Sequence, residues 1–306
     1  MPIISVILPA YNASKTISEA IDSILSQSFK DWEMLVINDG SIDNTKDIIQ
    51  SYTDSRIKYI ENEGNKGLVY SLNRGISLSQ GVYIARMDAD DISLPTRLEE
   101  QLKYLQDKDL DLCGCTTTHV DMNNKVIIPV VNKSYSPRVI GRCLKYDNCI
   151  AHPTWFGKKK LFEDLNGYRD FHACEDYDFL LRAVIKGAQV GICDKNLFWY
   201  RDNSQGISGS NCYKQKLSAY YLQQNLKRIN EVTPIHLENF IKECYNKEDD
   251  KKFVDSYNQF EYGINELRNK NLIGFVSIFK AVRNSKLVRI RASQLLNIIL
   301  IRLLLS

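Results

Sequence analysis

The chain has 306 residues, 44% hydrophobic and 25% charged, with a net charge of +3, which excludes a disordered or repeat protein and allows one large α/β domain with an appendage. Its eight cysteines form no CxxC pair and nothing before Ile3 resembles a signal peptide, pointing to a cytoplasmic protein whose thiols are reduced core residues. From Leu267 to Ser306 there are eight Lys or Arg residues and no Asp or Glu; such local charge points to an anionic surface, with lipid head groups the first candidate, and away from nucleic-acid binding.

Ile3 to Leu8 is an apolar run closed by Pro9, and Ile17, Ala20, Ile21, Ile24 and Leu25 recur at helical spacing between Ser14 and Ser28, with Ser14 as the N-cap. Trp32 to Ile37 reads as a second strand, Asn38-Asp-Gly-Ser41 as a loop, and Thr45 to Tyr52 as a helix. Ile57 to Ile60 is a third strand, Gly67 to Leu78 a third helix, and Tyr83 to Met87 a fourth strand, after which Pro95 opens a helix. This alternation predicts an α/β fold with a doubly wound, mostly parallel sheet that holds ligands at the carboxyl ends of its strands.

The loops at those ends carry chemistry. Pro9-Ala-Tyr-Asn12 presents a ring that can lie against a base, together with an amide. Asp39 can accept a hydrogen bond from a pyrimidine imide N–H or cap the next helix. Arg86-Met-Asp-Ala-Asp-Asp91 crowds Asp88, Asp90 and Asp91 into four positions. Hard oxygen ligands of this kind suit Mn²⁺ or Mg²⁺ attached to nucleotide phosphates; the competing reading is a solvated turn. The chain holds neither GxGxxG nor GxxxxGK[ST], so dinucleotide and Walker-type sites lack their glycines.

Asp111 to Thr117 reads as a strand in which Cys113 and Cys115 alternate into the core, and Val120 to Val131 as a hairpin turning at Asn123-Asn124. In His152-Pro-Thr-Trp-Phe156, His152 is held extended by Pro153 and is a candidate contact to phosphate or acceptor, with Trp155 a candidate sugar-stacking face; core packing is the alternative for both. Glu175-Asp-Tyr-Asp178 opens a helix whose dipole favours acids there, and a carboxylate so placed can take the proton of an acceptor hydroxyl. Beyond Ser208 come helical stretches with charged faces, Tyr213 to Ile229 and Ile235 to Tyr245. Leu295 to Leu305, interrupted by Asn297 and Arg302, falls short of the roughly 20 apolar residues of a membrane span. It fits a helix lying in an anionic membrane surface or one docked on the protein.

In order and spacing, Val6-Ile-Leu-Pro-Ala-Tyr-Asn12, Val36-Ile-Asn-Asp-Gly-Ser41, Asn65-Lys-Gly67, Gly81-Val-Tyr-Ile-Ala-Arg-Met-Asp-Ala-Asp-Asp91 and Glu175-Asp-Tyr-Asp-Phe-Leu-Leu-Arg182 resemble family two of the A-type glycosyltransferases over residues 2–208. The resemblance implies a Rossmann-like A-type catalytic domain at 1–208, a helical region with a basic tail at 209–306, and an inverting transfer from a nucleoside-diphosphate sugar, most often UDP-linked. By position it implies Pro9, Tyr11 and Asp39 at the base, Asp88 at the ribose or sugar, Asp90 and Asp88 at a Mn²⁺ or Mg²⁺ ion, and Asp176 as general base beside Glu175. Asn12, Asn65, Gly67 and Arg86 join the donor-binding set, with His152 and Trp155 on the acceptor side. Two departures stand out: Asn38 replaces the family's usual second acid, and Tyr200-Arg-Asp-Asn203 lacks a histidine that in some relatives completes the metal shell.

The expected reaction is therefore transfer from a UDP-sugar donor to a glycan or polyprenyl-diphosphate-linked acceptor, in capsule or O-antigen type polysaccharide synthesis at the inner face of the cell membrane. A sugar nucleotidyltransferase is the alternative enzyme, but it needs a glycine-rich phosphate loop and Pro9 to Lys15 has no glycine. A non-catalytic nucleotide-sugar-binding scaffold is the third reading, against which Asp88, Asp90 and Asp176 stand.

Overall fold

Seven consecutive buried residues, Ile4–Ala10, form β1, so the first strand runs through Pro9 instead of ending at it. Pro9 is tolerated because pairing with β4 (Tyr83–Arg86) stops at Ile7, and beyond that point a missing N–H breaks no ladder on that side. The computed structural model describes residues 1–128, 134–171, 173–203, 212–268 and 270–305, with only the backbone at 268. They fall into two units: 1–141, 149–170 and 179–203, and 142–148, 171–178 and 204–306. The expected domain boundary at Ser208 and the last residues of the expected hairpin lie outside the described residues.

The first unit is built on one nine-stranded sheet ordered β3-β2-β1-β4-β8-β6-β9-β5, with β7 on β6. Its strands are β1, β2 (Trp32–Asn38), β3 (Ile57–Glu61), β4, β5 (Ile92–Ser93), β6 (Leu112–Val120), β7 (Val126–Ile128), β8 (Phe156–Lys158) and β9 (Val190–Arg201). The helices between them are α1 (Ile17–Leu25), α2 (Thr45–Gln50), α3 (Leu68–Leu78), α4 (Arg97–Asp107), α5 (Pro137–Cys143), α6 (Lys159–Asp164) and α7 (Glu175–Ile185). The β3-β2-β1-β4 half is parallel as predicted, whereas β8 enters antiparallel to both β4 and β6, so the sheet is mixed. β1 and β2 are buried throughout, which suits central parallel strands covered on both faces. Ile17, Ala20, Ile21 and Ile24 of α1 join their core. Ser14 does not cap α1; the cap position is Thr16, and the Ser14 N–H instead donates to Asp43.

From β1 the chain steps to β2 and β3 on one side and then crosses to β4 on the other. That reversal opens a crevice at the carboxyl ends of β1 and β4, where open α/β sheets bind ligands.

The second unit is helical: α8 (Cys212–Gln224), α9 (Pro234–Cys244), α10 (Lys247–Arg268), α11 (Ile273–Asn284) and α12 (Lys286–Leu305) gather around Tyr213, Leu217, Phe253, Phe260, Ala281 and Val288. α10 and α11 meet at glycines: a Cβ on Gly274 would sit 2.4 Å from the Gly263 carbonyl oxygen. α11 therefore turns Gly274, Ser277 and Ala281 inward and leaves Leu272, Phe275, Val276 and Phe279 exposed. α12 packs through Leu287, Val288, Ala292 and Leu295, while Leu296, Ile299, Leu300, Leu303 and Leu304 face outward. No helix among the described residues is long and apolar enough to cross a membrane.

Candidate active site

The crevice between β1 and β4 gathers the predicted donor loops. Tyr11 follows β1 with its ring about half exposed. Asn12 takes a left-handed backbone, φ 50°, and its Oδ1 accepts from the Ile42 N–H at 2.9 Å while its own N–H donates to Ser41 Oγ at 3.0 Å. Its amide thus ties the β1 loop to the β2 loop. Asp39 is buried, and its carboxylate accepts from Asn62 Nδ2 (2.6 Å), the Lys66 N–H (3.0 Å) and the Gly67 N–H (2.8 Å). A carboxylate offers about four acceptor sites, of which these bonds take three. Asn65 Oδ1 accepts from the same Gly67 N–H at 3.1 Å, and Gly67, φ 89°, caps α3. Gly40 is demanded by the packing of these loops: its φ is 70°, and a Cβ there would lie 2.4 Å from the Gly64 carbonyl carbon. Asn38 is buried and spends its amide on Tyr59 (3.2 Å) and the Ser41 N–H (3.2 Å), a structural task that needs no charge.

At the end of β4, Asp88, Asp90 and Asp91 each bring a carboxylate oxygen within 4.8 Å of the others. Burial and then the Asp88 charge raise the Asp90 pKa, and burial followed by Asp88 and Asp90 pushes Asp91 well above the usual carboxylate range. Asp91 Oδ1 accepts from the Arg201 N–H at 2.8 Å, while its buried Oδ2 has no partner among the described residues. Three crowded carboxylates with an orphaned oxygen fit a divalent cation, and their all-oxygen chemistry is that of Mg²⁺ or Mn²⁺. Arg86 is buried beneath them, Nη1 2.5 Å from Asp88 Oδ2, so it reaches the site only by steadying that carboxylate.

The stretch lacking the family's histidine proves to be part of this site. Arg201 is a buried clamp: Nη1 donates to the Asp90 carbonyl at 2.9 Å, and Nη2 to Glu19 at 3.0 Å and Asn124 at 2.5 Å. Asn203 Nδ2 lies 3.4 Å from Asp90 Oδ2, whereas Asp202 turns to His119 at 3.0 Å. Asn203, not Asp202, thus stands at the cluster. Arg97 was also missed, because at the start of a helix it resembles a solvent-facing cation. It is buried, its pKa lowered to about 10 by desolvation, and it donates to the carbonyls of Arg86 (2.7 Å) and Pro153 (3.0 Å).

The two aromatic acceptor-side candidates are corrected. Trp155 is fully buried against His152 (4.5 Å), Phe179 (5.5 Å) and Tyr168 (6.1 Å), so it offers no face to a sugar. His152 is buried with Nε2 2.9 Å from the Tyr168 hydroxyl. Desolvation and then the nearby Arg86 charge push its pKa well below the usual histidine value, leaving a neutral ring that serves the core.

Glu175 and Asp176 open α7, whose residues up to Asp178 belong to the second unit. Asp176 Oδ2 accepts from Asn148 Nδ2 at 2.7 Å and its Oδ1 from the Tyr177 N–H at 2.6 Å. Glu175 is buried.

Comparison with known proteins bears on the family and the fold. The Glycosyl transferase family 2 model matches residues 5–165. The bifunctional glycosyltransferase pgtA of Dictyostelium discoideum is 34% identical over 75% of this chain and 37% of its own length. The O-antigen biosynthesis glycosyltransferase WbnJ of Escherichia coli is 31% identical over 74% of this chain and 91% of its own. The UDP-Glc:alpha-D-GlcNAc-diphosphoundecaprenol beta-1,3-glucosyltransferase WfgD of Escherichia coli is 33% identical over 70% and 82%. Among solved structures, S. aureus TarS 1-349 in complex with UDP-GlcNAc superposes with a TM-score of 0.62 at 20% identity, covering 79% of this chain and 71% of that one. The mannosyltransferase PcManGT of Pyrobaculum calidifontis, in complex with GDP-Man and Mn2+, does so at 0.59 and 15%, covering 99% and 86%. The fold is that of the A-type glycosyltransferases, and the chain belongs to glycosyltransferase family 2 and is a glycosyltransferase.

Proposed function

We propose that this enzyme transfers a sugar, with inversion, from a UDP-sugar to a hydroxyl of a glycan or polyprenyl-diphosphate-linked acceptor in cell-surface polysaccharide synthesis. The observation that carries the reading is the Asp88–Asp90–Asp91 cluster at the strand reversal, which suits a cation-bound diphosphate. Two similar proteins support the donor and acceptor classes: TarS was crystallised with UDP-GlcNAc, and the name of WfgD specifies UDP-Glc and a diphosphoundecaprenol acceptor.

In this reading the Tyr11 ring and the free acceptor site of Asp39 hold the base, with Pro9 and Asn12 shaping the loop and Asn65 and Gly67 the facing one. Asp88, steadied by Arg86, takes a ribose or sugar hydroxyl. Asp90, with Asp88 and Asp91, holds Mn²⁺ or Mg²⁺, which when bound supplies Lewis-acid neutralisation of the departing diphosphate. Asp176 takes the proton of the attacking hydroxyl, the single carboxylate that inversion requires, and Glu175 helps to orient the acceptor. The exposed apolar face of α11, the outer stripe of α12 and the flanking Lys280, Arg283, Lys286 and Arg289 support peripheral binding to an anionic membrane surface on the cytoplasmic side. Arg291 is not among those cations, since it pairs with Asp147.

Calorimetry against a panel of UDP- and GDP-sugars, with Mn²⁺ or with EDTA, tests the reading. UDP-sugars bind in a cation-dependent way, and Asp90→Ala loses both that dependence and transfer. An Asp90→Ala protein that keeps cation-dependent binding overturns the assignment.

A further inference from the structure

We infer that α12 positions the catalytic carboxylate: it is wired through one polar line to Asp176 and through a second to its neighbour Tyr177. This rests on the proposed role of Asp176 as general base and assigns the residues that hold it. All the groups involved belong to the second unit.

The first line starts at Arg291, whose Nη1 donates to Asp147 Oδ2. Asp147 is mostly buried, and its other oxygen has Lys216 of α8 only at 3.9 Å, so Arg291 is its principal counter-charge. The next residue, Asn148, donates from Nδ2 to Asp176 Oδ2 at 2.7 Å. The second line starts one helical turn further on. Gln294 Nε2 donates to Gln223 Oε1 at 2.7 Å. Gln223 Nε2 donates in turn to the Tyr146 carbonyl at 2.8 Å and the Tyr177 hydroxyl at 3.2 Å, and that hydroxyl donates to the Leu144 carbonyl at 2.5 Å. A cavity of about 20 Å³, room for one water, lies among Asp147, Lys216, Gln223, Tyr257, Arg291 and Gln294.

Both lines close on the same short stretches, 144–148 and 176–177, the first on the Asp176 carboxylate itself and the second on the side chain of its neighbour Tyr177. A carboxylate free to rotate would spend part of its time with neither oxygen on the acceptor hydroxyl, and small misplacements of a catalytic group are costly. The inner face of α12 accordingly serves the chemistry, while its outer leucines serve the surface. Arg291, Gln294, Asp147, Asn148 and Gln223 act through Asp176 and are positioning residues.

Hydrogen exchange on the full chain tests this without any substrate. Arg291→Gln and Gln294→Leu raise deuterium uptake across 144–148 and 174–178, whereas Arg291→Lys, which keeps the charge, leaves it near wild type. Turnover is read as UDP release from UDP-glucose with synthetic GlcNAc-diphosphoundecaprenol. Asn148→Ala and Arg291→Gln lower kcat roughly 10–10²-fold with the donor KM unchanged, and the double variant falls no further because both cut one line. If Arg291→Gln fails to fold, Gln294→Leu carries the exchange test alone. Wild-type uptake at 174–178 in Gln294→Leu and in any folded Arg291→Gln overturns the inference, whatever the turnover. If Asp176→Asn keeps wild-type turnover, the base assignment fails and this inference with it. If Asp176→Asn is inactive while Asn148→Ala and Arg291→Gln keep full kcat, only the positioning inference fails.

Discussion

Replacing Phe275 and Phe279 of α11 together by glutamine is expected to release the enzyme from anionic vesicles without unfolding it. Leu272, Phe275, Val276 and Phe279 are 74, 61, 56 and 67% exposed, a density of large apolar groups that monomeric surfaces avoid unless something covers them. Full burial of a phenylalanine contributes about 1.5–3 kcal/mol; with about two-thirds of each side chain still exposed, lipid recovers roughly 1–2 kcal/mol per ring. Losing both costs about 3 kcal/mol, roughly a hundredfold in partition at 1.4 kcal/mol per decade. Lys280, Arg283, Lys286 and Arg289 add about 1 kcal/mol each near an anionic leaflet, an attraction that salt screens. Co-sedimentation with phosphatidylserine-containing and with purely zwitterionic vesicles separates the two contributions. Because glutamine is a good helix former and both rings point outward, the melting temperature should barely move. A double variant that pellets with anionic vesicles as the wild type does refutes the argument. If a second copy of the chain covers this face instead, the wild type is a dimer, the variant is a monomer, and vesicle charge is irrelevant.

Three further outcomes follow from the first unit. Gly40→Ala must place a Cβ 2.4 Å from the Gly64 carbonyl carbon at φ 70°; it is expected to cost about 3 kcal/mol in urea melts and to weaken UDP binding through the displaced 64–67 loop. Arg201→Ala frees the Asp90 carbonyl and leaves Glu19 with Asn124 (3.0 Å) in place of a counter-charge, so stability should fall by about 1–2 kcal/mol and calorimetry should register weaker cation-dependent UDP binding; unchanged binding would reduce Arg201 to a scaffold role. His152 has a folded-state pKa well below its ordinary 6.5, so its contribution is present above pH 6.5 and lost as pH falls below it, because the unfolded chain then takes up a proton that the native ring refuses. Between pH 7 and 5.5 the unfolding free energy should decline with a slope approaching 1.4 kcal/mol per pH unit, and His152→Phe should flatten that slope in denaturant titrations.

The clustering of the acids at the end of β4 was legible because they follow a buried strand within four positions, although a solvated turn competed with a cation site, and the parallel half of the sheet that carries them follows from the alternation of elements. Asp39 was half legible: its place at a strand end could be read, but its engagement with Asn62, Lys66 and Gly67 depends on a loop folding back from β3. Trp155 could not be placed, since a tryptophan that stacks on sugar and one that fills a core have the same sequence surroundings; only β8 entering the sheet decides it. Arg289 and Arg291 show the limit most plainly. Two residues apart on one helix, they point to nearly opposite sides, one exposed and the other paired with Asp147. Composition counts them alike. α11 departs from the usual rule that large apolar residues face in: at its close crossing with α10 the inward positions are Gly274, Ser277 and Ala281, with Ile278 and Val282 beside them, while Phe275, Val276 and Phe279 are left outside. Periodicity finds such a stripe but does not say which way it faces, and the close approach of Gly263 to Gly274 is what assigns Phe275 and Phe279 to the surface.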